Sequence, residues 1–315
     1  MDRAAVPGHA QRAAFCFVIL LGQAALIFAA APPAEATASS GAIASCQVRN
    51  PATRAVYVGG GANLQDAIRH AVPGSVLIIR GRCVGTFHIN EALTLVGRPS
   101  DGFPIPTLDG NGAGTVLTTY ELGNVIVRNL RITGGMGTGQ RFGGTFGGGI
   151  ANRRGRVVLA GTTRVTGNAS ESGGGIWNNG TLILRDAAVV ARNRATGILG
   201  VGGGIYERGG HLRMRDSSSV RKNRAVVNGG GIFQFQGQVI IRDDASVRAN
   251  RAGNFGGGIY FEVHTLTLKG SAHVTGNTAR AGGGIFSEGN DVNVCSPSVK
   301  ISPNRPDDPP ATAPC

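Results

Sequence analysis

The chain has 315 residues with 52 glycines, five cysteines, and 31 Lys plus Arg against 18 Asp plus Glu, a formal net charge of +13. Glycine at about 16% is more than twice the usual ~7%, yet 41% of residues are apolar, which excludes a disordered chain because a core can be built. The glycines come in triplets rather than at every third position, which excludes collagen, and an interior glycine costs a helix ~1 kcal/mol against alanine, which argues against a helical bundle.

Residues 13–31 are almost wholly apolar, follow Arg3, His9 and Arg12, and precede Ala34-Glu35-Ala36. This pattern predicts a secretory signal peptide over 1–36. The alternatives are an uncleaved membrane anchor and a lipoprotein, although the lipobox-like Ile43-Ala44-Ser45-Cys46 lies far beyond the apolar run. Cleavage leaves Cys46, Cys83, Cys295 and Cys315. Four cysteines in an exported chain allow three pairings. Their positions favour Cys46 with Cys83 and Cys295 with Cys315, each bridge tying one terminus, with free thiols as the alternative. A zinc site is not expected without paired Cys or clustered His.

Residues 37–74 read as an N-terminal cap segment. Within it, residues 63–71 make a short amphipathic helix with Leu64, Ile68 and Ala71 on one face, stopped by Pro73-Gly74. Strand-like runs follow at 76–79, 93–96 and 125–132.

From residue 147 the chain repeats. Gly147-Gly148-Gly149-Ile150 is followed by triplets ending at Ile176, Ile205, Ile232, Ile259 and Ile285, spaced 26, 29, 27, 27 and 26 residues apart. An asparagine keeps step at 168, 193, 223, 250, 277 and 304, and three residues before each stands Val165, Val190, Val220, Val247, Val274 or Ile301. Alternating apolar pairs lie between the markers, from Val157 and Leu159 to Val292 and Val294. Period-two alternation marks strands. Three short strands per repeat cannot bury their apolar faces alone, so stacked coils are required. Proline is absent from 107–296, as continuous ladders demand. The expected fold is all-β: a parallel β-helix over 75–296 with a short N-terminal capping helix. About nine coils at ~4.8 Å would make a rod of roughly 43 Å. The tail at 297–315 holds six of the 14 prolines and is expected to cover the last coil's open edge.

The cap helix, the Leu93-Thr94-Leu95-Val96-Gly97 and Thr107-Leu108-Asp109-Gly110 runs and the Gly-Gly-Gly-Ile repeats together resemble the right-handed parallel β-helix proteins of the pectin-lyase-like superfamily over about residues 55–304. The repeats are also similar to those of polymorphic outer-membrane proteins, with Gly in place of Ala and Val or Ile in place of Phe. The right-handed sense is implied by the resemblance. An autotransporter role is not expected to carry over, since no membrane-barrel translocator is recognised. The superfamily's enzymes use Asp clusters on calcium or paired Asp residues, and neither motif can be placed here.

The residue after each Gly-Gly-Gly-Ile is Ala151, Trp177, Tyr206, Phe233, Tyr260 or Phe286. Stacked on one face, the five aromatics offer either a platform for sugar rings or a self-stacking ladder that stabilises the coils. Arg194, Arg224, Arg251 and Arg305 follow marker asparagines, and no acids match them. They are the candidates for a polyanion, with a solvated basic edge as the alternative. Arg185, Arg215, Arg242 and Lys269 form a second column beside Asp186, Asp216 and Asp243. That pairing predicts salt-bridge ladders, and the adjoining cations oppose calcium. Glu262 and Glu288 fall at equivalent positions of neighbouring coils, a spacing that any stacked pair shares. His88, His211, His264 and His273 form no ligand cluster. Two insertions, 136–146 (with Gln140 and Arg141) and 195–201, are where a site would be expected.

The expectation is a secreted or cell-surface monomer without cofactor or metal that binds carbohydrate or an anionic cell-surface polymer non-catalytically. Membrane contact would come only through the N-terminal segment. Nucleic acid is not expected, since export argues against it, no recognised binding motif is present, and the Gly-rich runs lack a following Gly-Lys-Ser/Thr. The rival expectations are a lyase or glycoside hydrolase acting on an acidic polysaccharide, and a structural spacer or adhesin.

Overall fold

A computed structural model describes residues 45–137, 146–263, 265–289, 292–307 and 312–314. The expected signal peptide at 1–36, Gln140, Arg141, His264 and Cys315 lie outside the described residues. Alternation becomes strand as expected. In one coil Thr181–Leu184, Val189–Ala191 and Ile205–Glu207 form strands and turn Leu182, Leu184, Val190 and Ile205 inward, each fully buried. Each lies in parallel register with its equivalent one coil on: Leu182 with Leu212, Val190 with Val220, Ile205 with Ile232. Chain-long repetition of this register gives a right-handed parallel β-solenoid around one continuous apolar core. A long sheet has 12 strands, and a second and a third sheet have 8 each.

Eight stacked strands make about 7 turns, fewer than the nine coils expected. Part of the shortfall lies in the last repeat. Val292–Val294 joins the long sheet, but beyond it the second strand is reduced to isolated bridges, His273 to Lys300 and Thr278 to Arg305. Pro297, Pro303 and Pro306 remove the donors a ladder needs there. Two further differences are local. The run at 125–132 divides into strands Asn124–Arg128 and Arg131–Thr133, because Asn129 turns a corner at φ 57°. Each of three coils also gains a fourth, two-residue strand, Ala169–Ser170, Arg194–Ala195 and Arg224–Ala225, which together form a short sheet.

At the N-terminal end, Cys46–Arg49 pairs antiparallel with both Val56–Gly59 and Ser75–Arg80, and so covers the long sheet's first coil strand. Helix Ala62–Arg69 buries Leu64 and Ala67 and rests Ile68 against the core, and Ala71, just beyond its end, packs there too. Among the described residues no helix is long and apolar enough to cross a membrane. Cys46 and Cys83 form a disulfide across 37 residues, and both are buried. Cys295 is also disulfide-bonded, while its expected partner Cys315 lies outside the described residues. At the C-terminal end, Thr312–Pro314 runs parallel to Val292–Val294.

The marker asparagines explain the repeat. They are buried and linked side chain to side chain. Asn193 Nδ2 donates to Asn223 Oδ1 at 3.0 Å and to the Val165 carbonyl one coil back at 3.0 Å, while the Asn193 N–H donates to the same Oδ1 at 2.9 Å. The pattern runs unbroken from Asn168 to Asn304. The glycine triplets are the other half of this device. Gly173 sits at φ +66°, which only glycine adopts cheaply, and a Cβ on Gly175 would meet the Asn193 amide at 2.7 Å.

Removing one rung strands several desolvated groups, each costing roughly 1–3 kcal/mol. Asn223→Ala therefore lowers unfolding stability by about 3 kcal/mol or more, measured by denaturant melting. A loss under about 1 kcal/mol would show that water replaces the rung.

Candidate anion-binding corner

The five aromatics do come together in parallel register on the third sheet. Phe233 stacks on Tyr260 with ring centroids 4.8 Å apart, Tyr260 on Phe286 at 5.6 Å, and Tyr206 meets Phe233 edge-on at 5.3 Å. Trp177 packs instead on Phe146 at 5.5 Å. Trp177, Phe233 and Tyr260 are buried, and Tyr206 and Phe286 are half-buried. The first glycine of a triplet backs onto this row, since a Cβ on Gly229 would meet the Phe233 Cβ at 2.7 Å. The geometry is that of a ladder whose ring faces are largely spent on one another.

The Asp column corrects an expectation. Asp186, Asp216 and Asp243 sit in the left-handed region at φ 57°, 54° and 58°, which sends their carboxylates along the axis instead of toward the preceding arginine. They accept from backbone N–H groups of the coil before: Gly161 at 2.7 Å, Asp186 at 2.9 Å and Asp216 at 3.1 Å. The ion pairs these residues make among the described residues are long, Arg242 to Asp243 at 3.8 Å and Arg128 to Asp186 at 3.9 Å. No group of three or more His, Cys, Asp or Glu among the described residues is arranged to hold a metal. Elsewhere, the Tyr260 hydroxyl donates to Glu288. Burial and that bond raise its pKa, and burial with the nearby Glu288 raises that of Glu262.

The basic column is more extensive than the arginines after each asparagine. Arg194 lies opposite Arg224 on the short sheet, and a bridge continues the row to Arg251. On the other side of the buried Asn ladder stands a second row, Arg221 opposite Arg248. Arg192 and Lys222 occupy the turn between the rows. Three successive coils thus present seven cations: Arg192 and Arg194, then Arg221, Lys222 and Arg224, then Arg248 and Arg251. All are exposed except the half-buried Arg221. None has a carboxylate partner among the described residues. Their mutual repulsion registers on Arg221, whose pKa is lowered by burial and then by Arg248, Arg192 and Arg164. Arg194, Ala195, Thr196, Arg224 and Val226 line a shallow depression beside the rows. It adjoins the insertion at 195–201, whose Ile198 and Leu199 are exposed. Arg192, Arg221, Lys222 and Arg248 were not singled out from sequence. Their signal was the basic residue one or two places before Asn193, Asn223 and Asn250.

A second feature missed from sequence is an interior polar row two residues after Ile150, Ile176, Ile205 and Ile232, which the buried Phe261 ends. Thr119 donates to Asn152 at 2.9 Å, Asn152 to Asn178 at 2.6 Å, and Asn178 to Glu207 at 2.6 Å, while the Gly210 N–H donates to Glu207 at 2.7 Å. Gln234 continues the row, its Oε1 buried without a partner among the described residues. Burial pushes the Glu207 pKa up to about 8, against the pull of its donors. A raised acid pKa favours the folded state below the unfolded value near 4.5 and loses that contribution as pH rises through about 8. The melting temperature is accordingly expected to fall between pH 5 and pH 9, and Glu207→Gln to flatten that slope. An unaltered slope in the variant would assign it to other groups.

Compared with known proteins, the chain matches no family model, no curated protein and no solved structure, so its functional reading rests on the residues themselves.

Proposed function

We propose that this chain is an extracytoplasmic, non-catalytic binding protein for a linear anionic polymer, acidic carbohydrate being the ligand class, held at the basic corner. The observation that carries the reading is the set of seven neighbouring cations on three coils with no carboxylate partner among the described residues. Like charges one coil apart repel, so an arrangement of this kind gains from a multivalent anion. The buried Cys46–Cys83 disulfide supports an oxidising compartment. The leader-like pattern at 1–36 supports export, and export weighs against nucleic acid. The resemblance of the repeats to pectin-lyase-like β-helices supports a carbohydrate ligand. The largely buried aromatic ladder is assigned to stability.

A second reading, polysaccharide hydrolysis or lysis, has one specific support: Tyr260, Glu262 and Glu288 gathered at one edge of the third sheet. The two readings separate in one experiment, affinity electrophoresis of the protein through acidic and neutral polysaccharides with the recovered polymer sized afterwards. Retardation by acidic polymer of unchanged length is expected, and shortened polymer would move the function to the Tyr260 edge. Replacing Arg194, Arg224 and Arg251 together by Gln should weaken retention at least tenfold, roughly 1.4 kcal/mol. Stability should stay within about 0.5 kcal/mol, since the side chains are exposed. Retention unchanged by the triple substitution would place the polymer away from this corner, and no retention of the unsubstituted protein would leave a structural spacer or adhesin.

A further inference from the structure

The insertion at 195–201 belongs to the first of the three cationic coils. Eight residues lie between Asn193 and Gly202, against five between Asn223 and Gly229 and five between Asn250 and Gly256. The surplus forms a tight turn, in which the Gly200 N–H donates to the Gly197 carbonyl at 3.2 Å and Ile198 and Leu199 take the two central positions. Both stand in solvent, 90% and 76% exposed. The base of the turn is anchored on two sides. The Thr196 and Val201 N–H groups donate to the Ser170 and Glu171 carbonyls of the coil before, and the Gly200 carbonyl accepts from Val227 of the coil after. Glycine at 197 lets the tip turn, since φ is 93° and a Cβ there would meet the half-buried Glu171 side chain at 2.8 Å. The chain thus uses three extra residues to hold an apolar pair in water, against the hydrophobic effect. The cations crowd the same coils. Their turns read Ala191-Arg192-Asn193-Arg194, Arg221-Lys222-Asn223-Arg224 and Arg248-Ala249-Asn250-Arg251, but Thr166-Gly167-Asn168-Ala169 in the coil before and Thr275-Gly276-Asn277-Thr278 in the coil after. Arg194 and Arg224 line the depression at the foot of the turn together with Thr196 and Val226, and Val226 is itself exposed.

We propose that this face docks on a lipid surface rich in anionic headgroups, with Ile198 and Leu199 entering the boundary between headgroups and acyl chains while the cations of the corner meet the headgroups. The exposed pair selects lipid over a soluble polyanion. A polyanion engages charge and has no use for two aliphatic tips, whereas a peripheral membrane contact combines an apolar wedge with basic residues around it. Exposed apolar groups rimmed by polar ones mark such contacts, and each cation near an anionic bilayer adds to the attraction. The repulsion that Arg248 and Arg192 exert on Arg221 is relieved there by many headgroups at once. The inference goes beyond the polymer reading. It shares that reading's cations, but the loop takes part in the lipid contact alone, so either can fail without the other.

The test is titration of the full-length protein with vesicles of phosphatidylcholine, alone or mixed with phosphatidylglycerol. Tighter binding to the mixed vesicles is expected. Replacing Ile198 and Leu199 together by Ser should weaken that binding by roughly tenfold or more, with the thermal midpoint and retention by acidic polysaccharide unchanged. Residues 1–36 are common to both proteins, so the difference belongs to the loop. Insertion itself is read with Leu199→Trp. The single native tryptophan, Trp177, is buried, so quenching of the added fluorescence by lipids brominated on their acyl chains reports the tip. Equal vesicle binding by the Ser variant, equal affinity for the two kinds of vesicle, or no quenching of Leu199→Trp would overturn the proposal. Loss of polysaccharide retention in the Ser variant would also overturn it and give the pair to the polymer site. Self-association in sedimentation that the Ser variant abolishes would make a second copy the occupant. Failure to bind anionic vesicles at all overturns the lipid contact and leaves the polymer reading standing, whereas vesicle binding without polysaccharide retention removes the polymer reading and supports this one.

Discussion

The structure depends on the asparagine ladder. A parallel solenoid must turn its chain sharply at every corner, and each turn leaves backbone N–H and carbonyl groups pointing along the axis, away from water. One buried amide per coil serves two of them and two neighbouring amides: Oδ1 accepts from the backbone N–H and the side chain of the asparagine in the coil before, and Nδ2 donates to a carbonyl of that coil and to the next asparagine. This fixes coil-to-coil register at one point, and the apolar columns of Leu182, Val190 and Ile205 then align without further instruction. The cooperation of neighbouring hydrogen bonds in a dry interior strengthens the device.

The glycine triplets follow from the same constraint. The third glycine leaves room for the amide, the first supplies a left-handed bend, and the second lies where a side chain would meet the carbonyl of the next coil's triplet. Spacing between Gly and Asn markers in the chain is thus an image of their contact in space, which is why the solenoid was legible from sequence. The cap helix was legible too, from local amphipathicity. The limits were equally local. Two-residue strands such as Arg194–Ala195 are too short for an alternation to show. Arg185 and Asp186 are adjacent in sequence and suggest a pair, yet the left-handed turn at Asp186 carries its carboxylate to the Gly161 N–H. Glu207 stood at an inward position of its strand, but a carboxylate is not expected inside without a cation, and neutral hydrogen-bonding neighbours hold this one.

The basic corner was half legible. The arginines after each asparagine repeat visibly, whereas Arg221 and Arg248 join them only through the register of the second sheet. Corner and core are two faces of one turn: the asparagine amide points inward and satisfies the coil, while its sequence neighbours point outward and set the charge. Fold and surface chemistry can therefore vary independently within four residues. The flanking coils make the point, since they keep the asparagine and replace the cations with Thr, Gly and Ala.

That separation has a consequence for how such a molecule changes over generations. At the asparagine corner each coil hands the next the same donors and acceptors, with 27 residues separating Asn223 from Asn250 and Asn250 from Asn277. Duplication or loss of one such cassette leaves the corner junctions chemically unchanged, because the new neighbours there are equivalent to the old. The lineage can thus lengthen or shorten its charged edge by whole coils through recombination within its own gene, without renegotiating the interior.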